Sequence, residues 1–210
     1  MYYLKNLWIK FRYSNRLRLL FDALARFGIL VQPYYIIQEG LFGNRERRFP
    51  KGMDAYETGY LAPEDMETVA AIPGRKETVE DLRRRLEKGN LCFGAKRHGE
   101  LAAFTWFGLD VLDAGRHRRP LEKDEAYLFD AYTLIPYRGK GIAPYIRYLG
   151  YEELEKLGRT RLYSISLYFN TPAVNFKKKL GAEFLELRLE VRLFRKWNRD
   201  VRVKRYGERS

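Results

Sequence analysis

The sequence predicts a mixed α/β layer domain, and three observations predict it. Strand-like and helix-like stretches alternate from about residue 55 to the C-terminus. A helical stretch separates the strands read at 125–135 and 161–169, which implies a parallel crossover there. The run 91–109 reads as two strands joined at the turn Arg97-His98-Gly99-Glu100, an antiparallel hairpin.

The elements follow in order. Residues 4–31 read as helix with a break near Ser14-Asn15. Leu4, Leu7, Trp8 and Phe11 recur at helical spacing, then Leu17, Leu20, Phe21, Leu24 and Phe27, with basic residues on the other face and Gly28 as a stop. Residues 40–53 are rich in glycine and charge and read as a linker. This divides the chain into an N-terminal helical extension and linker, 1–48, and a main domain, 49–210. Residues 55–62 are strand-like. Residues 63–71 open a helix with a proline and acids in its first turn. A second helix at 78–89 has Thr78 as its cap and Gly89 as its end. Residues 110–124 read as a polar loop and 125–135 as an aromatic-rich strand. A helix then runs to about Leu157, ended by Gly158. A strand at 161–169 and a short helix at 171–180 follow, with Gly181 after it. Residues 183–194 alternate apolar and charged, the pattern of a half-exposed strand. Asn198-Arg199-Asp200 is read as the turn that leads back into 201–206.

The 210 residues are enough for one ordinary domain plus an extension. The 40 basic and 27 acidic residues give a net charge of +13, which attracts an anionic partner: nucleic acid, a lipid surface or a phosphorylated small molecule. Cys92 stands alone, which excludes an intramolecular disulfide and a thiolate zinc site. His98 and His117 lie in polar stretches, against a histidine-centred metal site or triad, and no metal is expected. No run of about 18 uncharged apolar residues occurs. The expected compartment is the cytoplasm, with membrane association through residues 4–31 as the alternative.

The stretch PYRGKGIA, 136–143, lies between a strand and a helix. Backbone N–H groups at a helix start have no intrahelical acceptor, and the helix dipole adds positive charge there. Gly139 and Gly141 remove side chains that would keep a ligand from those amides, and Arg138 and Lys140 add full charge. The pattern suits a phosphate or pyrophosphate; a tight turn with exposed basic residues explains it as well. No Gly-Lys-Ser/Thr ends the stretch and no G-x-G-x-x-G is present, so neither a Walker loop nor a dinucleotide fingerprint is formed.

Arg138, Gly141 and Ala143, as Arg-x-x-Gly-x-Ala, resemble the acyl-CoA loop of the GNAT N-acetyltransferase superfamily. Residues 83–107 resemble that family's second helix and first hairpin. NTPAVNFKKKLGAEF, 170–184, resembles its late helix motif through Asn170, Ala173, Phe176, Leu180 and Gly181. The resemblance covers about residues 53–196. It implies a GNAT fold: a mostly antiparallel mixed sheet with a parallel, splayed central strand pair, flanked by helices. It implies acetyl-CoA, or a longer acyl-CoA, as co-substrate and a primary amine as acceptor. The amides of Arg138, Gly139, Lys140, Gly141, Ile142 and Ala143 would seat the CoA pyrophosphate. Thr133 and Leu134 would pair with the pantetheine arm, one backbone N–H serving as oxyanion donor, and Asn170 would touch the same arm. Lys177, Lys178 and Lys179 would lie near the nucleotide phosphate or form a solvated helix face.

The amine must lose a proton to attack the thioester. Asp130 and Glu125 are the candidate bases. Asp130 shares strand parity with Tyr132 and Leu134, and pairing with an arginine is the competing reading. Many family members place a tyrosine acid where this chain has Lys177; Lys177 reads as a surface residue, and Tyr132 and Tyr168 are the substitutes. The loop is also one residue shorter than usual before Arg138. Both departures leave room for a non-catalytic member. Competing functions are a lipid- or acyl-CoA-sensing peripheral membrane protein and a basic nucleic-acid or ribosome binder, the last disfavoured because the basic residues are scattered. The apolar stripe of the first helix can lie on lipid, pack on the main domain or meet a second copy. Arg116, Arg118 and Arg119 hint at an anionic acceptor.

Overall fold

The computed structural model describes residues 16–40, 49–114, 117–194 and 196–206. The first half of the N-terminal helix reading, most of the linker and Arg116 lie outside the described residues. The described chain forms two compact units. One takes in residues up to 38, residue 117 and those from 165 onward; the other takes in 39–114 and 118–164.

In the second unit, β2 (Glu57–Tyr60), β3 (Leu91–Arg97), β4 (Glu100–Gly108) and β7 (Glu125–Thr133) pair antiparallel in that order. β7 then pairs in parallel with the start of β8 (Arg161–Leu167), from Glu125–Arg161 to Leu128–Ser164. The sheet is therefore mixed and mostly antiparallel, with one parallel pair, as read from the sequence. β4 is buried over Leu101–Gly108 because both its faces are covered. Phe104 and Trp106 pack with Met66 of α2 (Met66–Ala70) and Leu82 of α3 (Val79–Glu87). Ala103 and Phe107 meet α4 (Ile142–Lys156) through Ile142, Ile146, Tyr151 and Leu154.

The caps explain where the helices stop. The Asp81 N–H donates to Thr78 Oγ1 (3.2 Å) and the Thr78 N–H to Asp81 Oδ2 (3.1 Å), a reciprocal cap that starts α3. The proline-led turn at Pro63–Asp65 is 3-10, so the helix read at 63–71 is short. The loop read at 110–124 contains β5 (Val111–Ala114) and β6 (His117–Pro120), a two-stranded sheet of its own. Its few apolar positions hid the alternation.

α4 seats on β4 with no space for a methyl at Gly150: a Cβ there would stand 2.6 Å from Phe107 Cζ, and that ring is fully buried. Gly150→Ala gains about 1 kcal/mol of helix propensity. Forcing a methyl into a packed core costs about 1–3 kcal/mol. A net loss of stability is therefore expected, measured as a lower urea midpoint.

In the first unit, α1 (Arg16–Arg26) ends at Gly28, as read. The helix does not reach residue 31, however. β1 (Ile29–Glu39) follows, antiparallel to β9 (Glu183–Leu193), which pairs in turn with β10 (Trp197–Arg205). The β-branched and aromatic run ILVQPYYIIQ outweighs the helical spacing of the residues before it. Phe194 and Lys196 lie between β9 and β10, the Lys196 N–H closing on Leu193 O, and Asn198–Asp200 are inside β10 rather than the turn. α5 (Thr171–Lys179) is capped by Asn170, whose Oδ1 accepts the Ala173 N–H at 3.4 Å.

Candidate donor site

The parallel register of β7 ends before the strand does. Pairing with β8 stops at Leu128–Ser164, while β7 continues to Thr133. Its pairing with β4 slips over the same stretch: Phe129 faces Trp106 and Tyr132 faces Phe104, so two residues of β7 oppose Thr105 alone. This is a β-bulge, and Asp130 takes φ +46 within it. Phe129, Tyr132 and Leu134 consequently all pack on the same cluster.

Beyond the bulge the backbone groups divide. The Leu134 N–H donates to Ala102 O (2.9 Å), so it is spent in the sheet, and of the two residues that the resemblance offers for the oxyanion donor it is the one already engaged. Thr133 O accepts from Arg138 Nε at 3.0 Å. Residues 135–137 make a 3-10 turn that the Arg138 N–H closes on Ile135 O (3.3 Å), which removes Arg138 from the expected set of six free amides. The next five residues differ. Among the described residues, no acceptor takes the N–H of Gly139, Lys140, Gly141, Ile142 or Ala143. The first α4 amide to find an acceptor is Tyr145, on Gly141 O. Five donors thus stand together where the dipole of a 15-residue helix emerges.

The two glycines do different things. Both have φ +80. A Cβ on Gly141 would lie 2.5 Å from Pro50 Cγ, so the chain's own packing requires a bare Cα there. A Cβ on Gly139 would have nothing within 4 Å, so that side of the turn is open. Ile142 is buried and pins the helix start. Arg138 Cζ stands 5.2 Å over the Tyr132 ring and Lys140 Nζ 5.3 Å over the Tyr137 ring, which keeps both charges beside the turn.

Asp130 sits in a charge network. Its oxygens accept from Arg75 Nη1 (2.8 Å), Arg75 Nη2 (2.6 Å) and Arg85 Nη1 (2.8 Å), and Glu77 approaches both arginines. Burial pushes its pKa up, while the two guanidiniums pull against that rise. Arginine pairing, the competing reading, is therefore present. Arg75, over Phe104, was not among the residues singled out from the sequence. Glu125 is no base. Burial would raise its pKa, but Arg119, the Glu122 amide and Arg161 together hold it below the ordinary carboxylate range. Arg119 is thereby engaged and Arg118 meets Asp113 at 3.5 Å, so the hint of an anionic acceptor loses both described arginines.

The remaining candidates belong to the other unit. Tyr168 is 37% exposed; its N–H donates to Pro33 O, and its ring lies 5.5 Å from Tyr35. Asn170 caps α5. Lys177 is not a surface residue: it is 5% exposed, and its Nζ donates to Ile165 O at 3.3 Å. Its long apolar stem lets a lysine lie inward where the flanking lysines read as a solvated face.

A search of curated protein sequences finds no match. Among solved structures, a Drosophila melanogaster protein matches at 16% identity and TM-score 0.56, over 84% of this chain and 56% of its own. A Novosphingobium aromaticivorans protein titled as a GNAT-family acetyltransferase matches at 17% identity and TM-score 0.52, over 79% of this chain and 66% of its own. A Staphylococcus epidermidis protein of unknown function matches at 7% identity and TM-score 0.52, over 85% and 67%. The chain spans less than two thirds of the length of the first two, and at these identities the likeness shows the fold. The family model described as the acetyltransferase (GNAT) family matches residues 53–182, well over half of the chain and the whole of β2 to α5. With a family model matching more than half of its length, the chain belongs to the GNAT acetyltransferase family.

Proposed function

We propose that this protein transfers an acetyl group from acetyl-CoA to a primary amine. The observation that carries the reading is the row of five unengaged amides from Gly139 to Ala143 at the start of α4. A pyrophosphate seated there receives hydrogen bonds from groups that otherwise have only water, and the helix dipole adds to them. The register with β8 ends at Leu128–Ser164, so backbone of β7 past Leu128 is the candidate for the thioester arm, although the Thr133 C=O is already engaged by Arg138. The amine attacks the thioester carbonyl directly. Its nitrogen gains the acyl carbon, the C–S bond breaks, the thiolate leaves and the amine sheds a proton. Asp130, with its pKa raised by burial, is the acid–base group of this unit, and Arg75 and Arg85 fix its position.

The test is donor binding together with turnover. Acetyl-CoA should raise the melting temperature of the full chain, and a panel of primary amines should release free thiol from it. Longer acyl-CoAs in the same melting assay would size the acyl site. No melting shift and no calorimetric binding at millimolar acetyl-CoA would end the proposal.

A further inference from the structure

The C-terminal turn of α1 and the β9–β10 turn form one tip of the first unit. The Phe194 N–H donates to Gly28 O at 2.7 Å, and Ile29, Leu193 and Trp197 stand in register across the three strands. Three aromatic rings face outward there: Phe27 is 75% exposed, Phe194 64% and Trp197 45%. Leu19 and Leu20, each about half exposed, extend the apolar surface along α1.

The backbone gives independent reason to single this tip out. Phe194 has φ +46, a left-handed conformation that bulky residues rarely adopt. A glycine or asparagine would make the same turn without strain. The chain instead accepts a strained backbone and an exposed ring at one position, two costs that the fold itself does not require.

The charges say what meets these rings. Arg26, Lys196 and Arg199 are exposed around them, and Arg199 Cζ lies 5.9 Å over the Trp197 ring. The nearby acids are engaged: Asp200 by Arg188 and the Tyr34 hydroxyl, Glu190 by Arg192, and Asp22 by Arg18. A second copy would bring like charges together. A single-stranded nucleic acid would stack on the aromatics but leave Leu19 and Leu20 in water. An anionic bilayer takes all of it, the rings and leucines into the acyl boundary and the basic groups onto the headgroups. We propose that this tip docks the protein on an anionic lipid surface. No helix among the described residues is long and apolar enough to cross a membrane.

The full chain should co-sediment with phosphatidylcholine vesicles that contain phosphatidylserine. Without the anionic lipid it should bind far less, since each Lys or Arg near such a surface strengthens binding about fivefold. Phe194→Gly should lower vesicle partition about tenfold through the lost ring. Its melting temperature should stay level or rise, because glycine relieves the left-handed strain. That combination separates lipid contact from misfolding. Trp197→Ser should weaken partition in the same way, and it decides the matter if Phe194→Gly melts early. The proposal is overturned if the wild-type chain ignores anionic vesicles, or if both variants sediment as it does. Light scattering that shows a dimer dissolved by Phe194→Gly, with no vesicle binding, also overturns it in favour of a second copy. RNA retention lost in the variants, again without vesicle binding, overturns it in favour of nucleic acid.

Discussion

Arg147→Ala is expected to remove about 3–5 kcal/mol of folding stability, roughly a fifth or more of what a folded domain usually has. Glu39 is wholly buried, at the end of β1, and its partners come from α4. Its Oε2 accepts from Arg147 Nε (2.9 Å) and the Tyr151 hydroxyl (2.6 Å), and its Oε1 from Arg147 Nη2 (3.3 Å). Arg147 Nη1 reaches Thr105 Oγ1 on β4 at 2.6 Å. All four residues are within a few per cent of full burial. Without the guanidinium the carboxylate stays dry with a tyrosine beside it, and neither ionisation nor neutrality is cheap. The double change Glu39→Met with Arg147→Met should cost less than the sum of the single changes, because it removes both charges together. It should not reach wild-type stability, since the Thr105 and Tyr151 hydroxyls lose partners worth about 1–3 kcal/mol each. Urea unfolding of the four proteins measures the coupling. Strict additivity would mean that the network is incidental. Glu39 also lies before residue 53, outside the family match, so the matched segment alone leaves Arg147 without its counter-ion.

These two residues show what was and was not legible in the sequence. From β2 to α5, nearly every element was readable from its caps and periodicity: Thr78, Gly89, Gly158 and Gly181 mark their boundaries through backbone chemistry that is local. β1 was missed although its β-branched, aromatic run is local, because the pairing with β9 that completes it is not. ILVQPYYIIQE is a strand because β9 pairs with it, and the preceding helical spacing ran on into it. Glu39 and Arg147 are 108 positions apart, so no window holds both, although an arginine in the otherwise apolar face of Ile142, Ile146, Tyr151 and Leu154 was a signal for a buried partner. At the site, the loop was legible and its hydrogen-bond accounting was not. Which amides are free depends on the register of β7 against β4, and the bulge at Asp130 sets that register through Thr105. Lys177 misled for a similar reason: a lysine between lysines looks solvated until the backbone carbonyl that receives it is known.

The free amides also define the largest expected effect on activity, at Gly139. Gly139→Asp should weaken acetyl-CoA binding by about a hundredfold or more. A Cβ at this position meets nothing, so the new side chain fits without moving neighbours. Aspartate tolerates the left-handed region better than most residues, so the backbone cost is about 1 kcal/mol. A carboxylate about 4–5 Å from a pyrophosphate opposes it by roughly 3–4 kcal/mol at the effective dielectric of a protein surface. It can also turn back on the neighbouring N–H groups and occupy them. Gly139→Asn has nearly the same shape and backbone cost but no charge, and should stay within about tenfold of wild type. Gly141→Ala, by contrast, drives a methyl into Pro50 and should show its effect in melting temperature as well as in binding. Calorimetric titration with acetyl-CoA, alongside melting curves for each variant, separates the three. If Gly139→Asp binds the donor as tightly as wild type, the pyrophosphate does not lie on these amides, and the row of donors at the head of α4 needs another explanation.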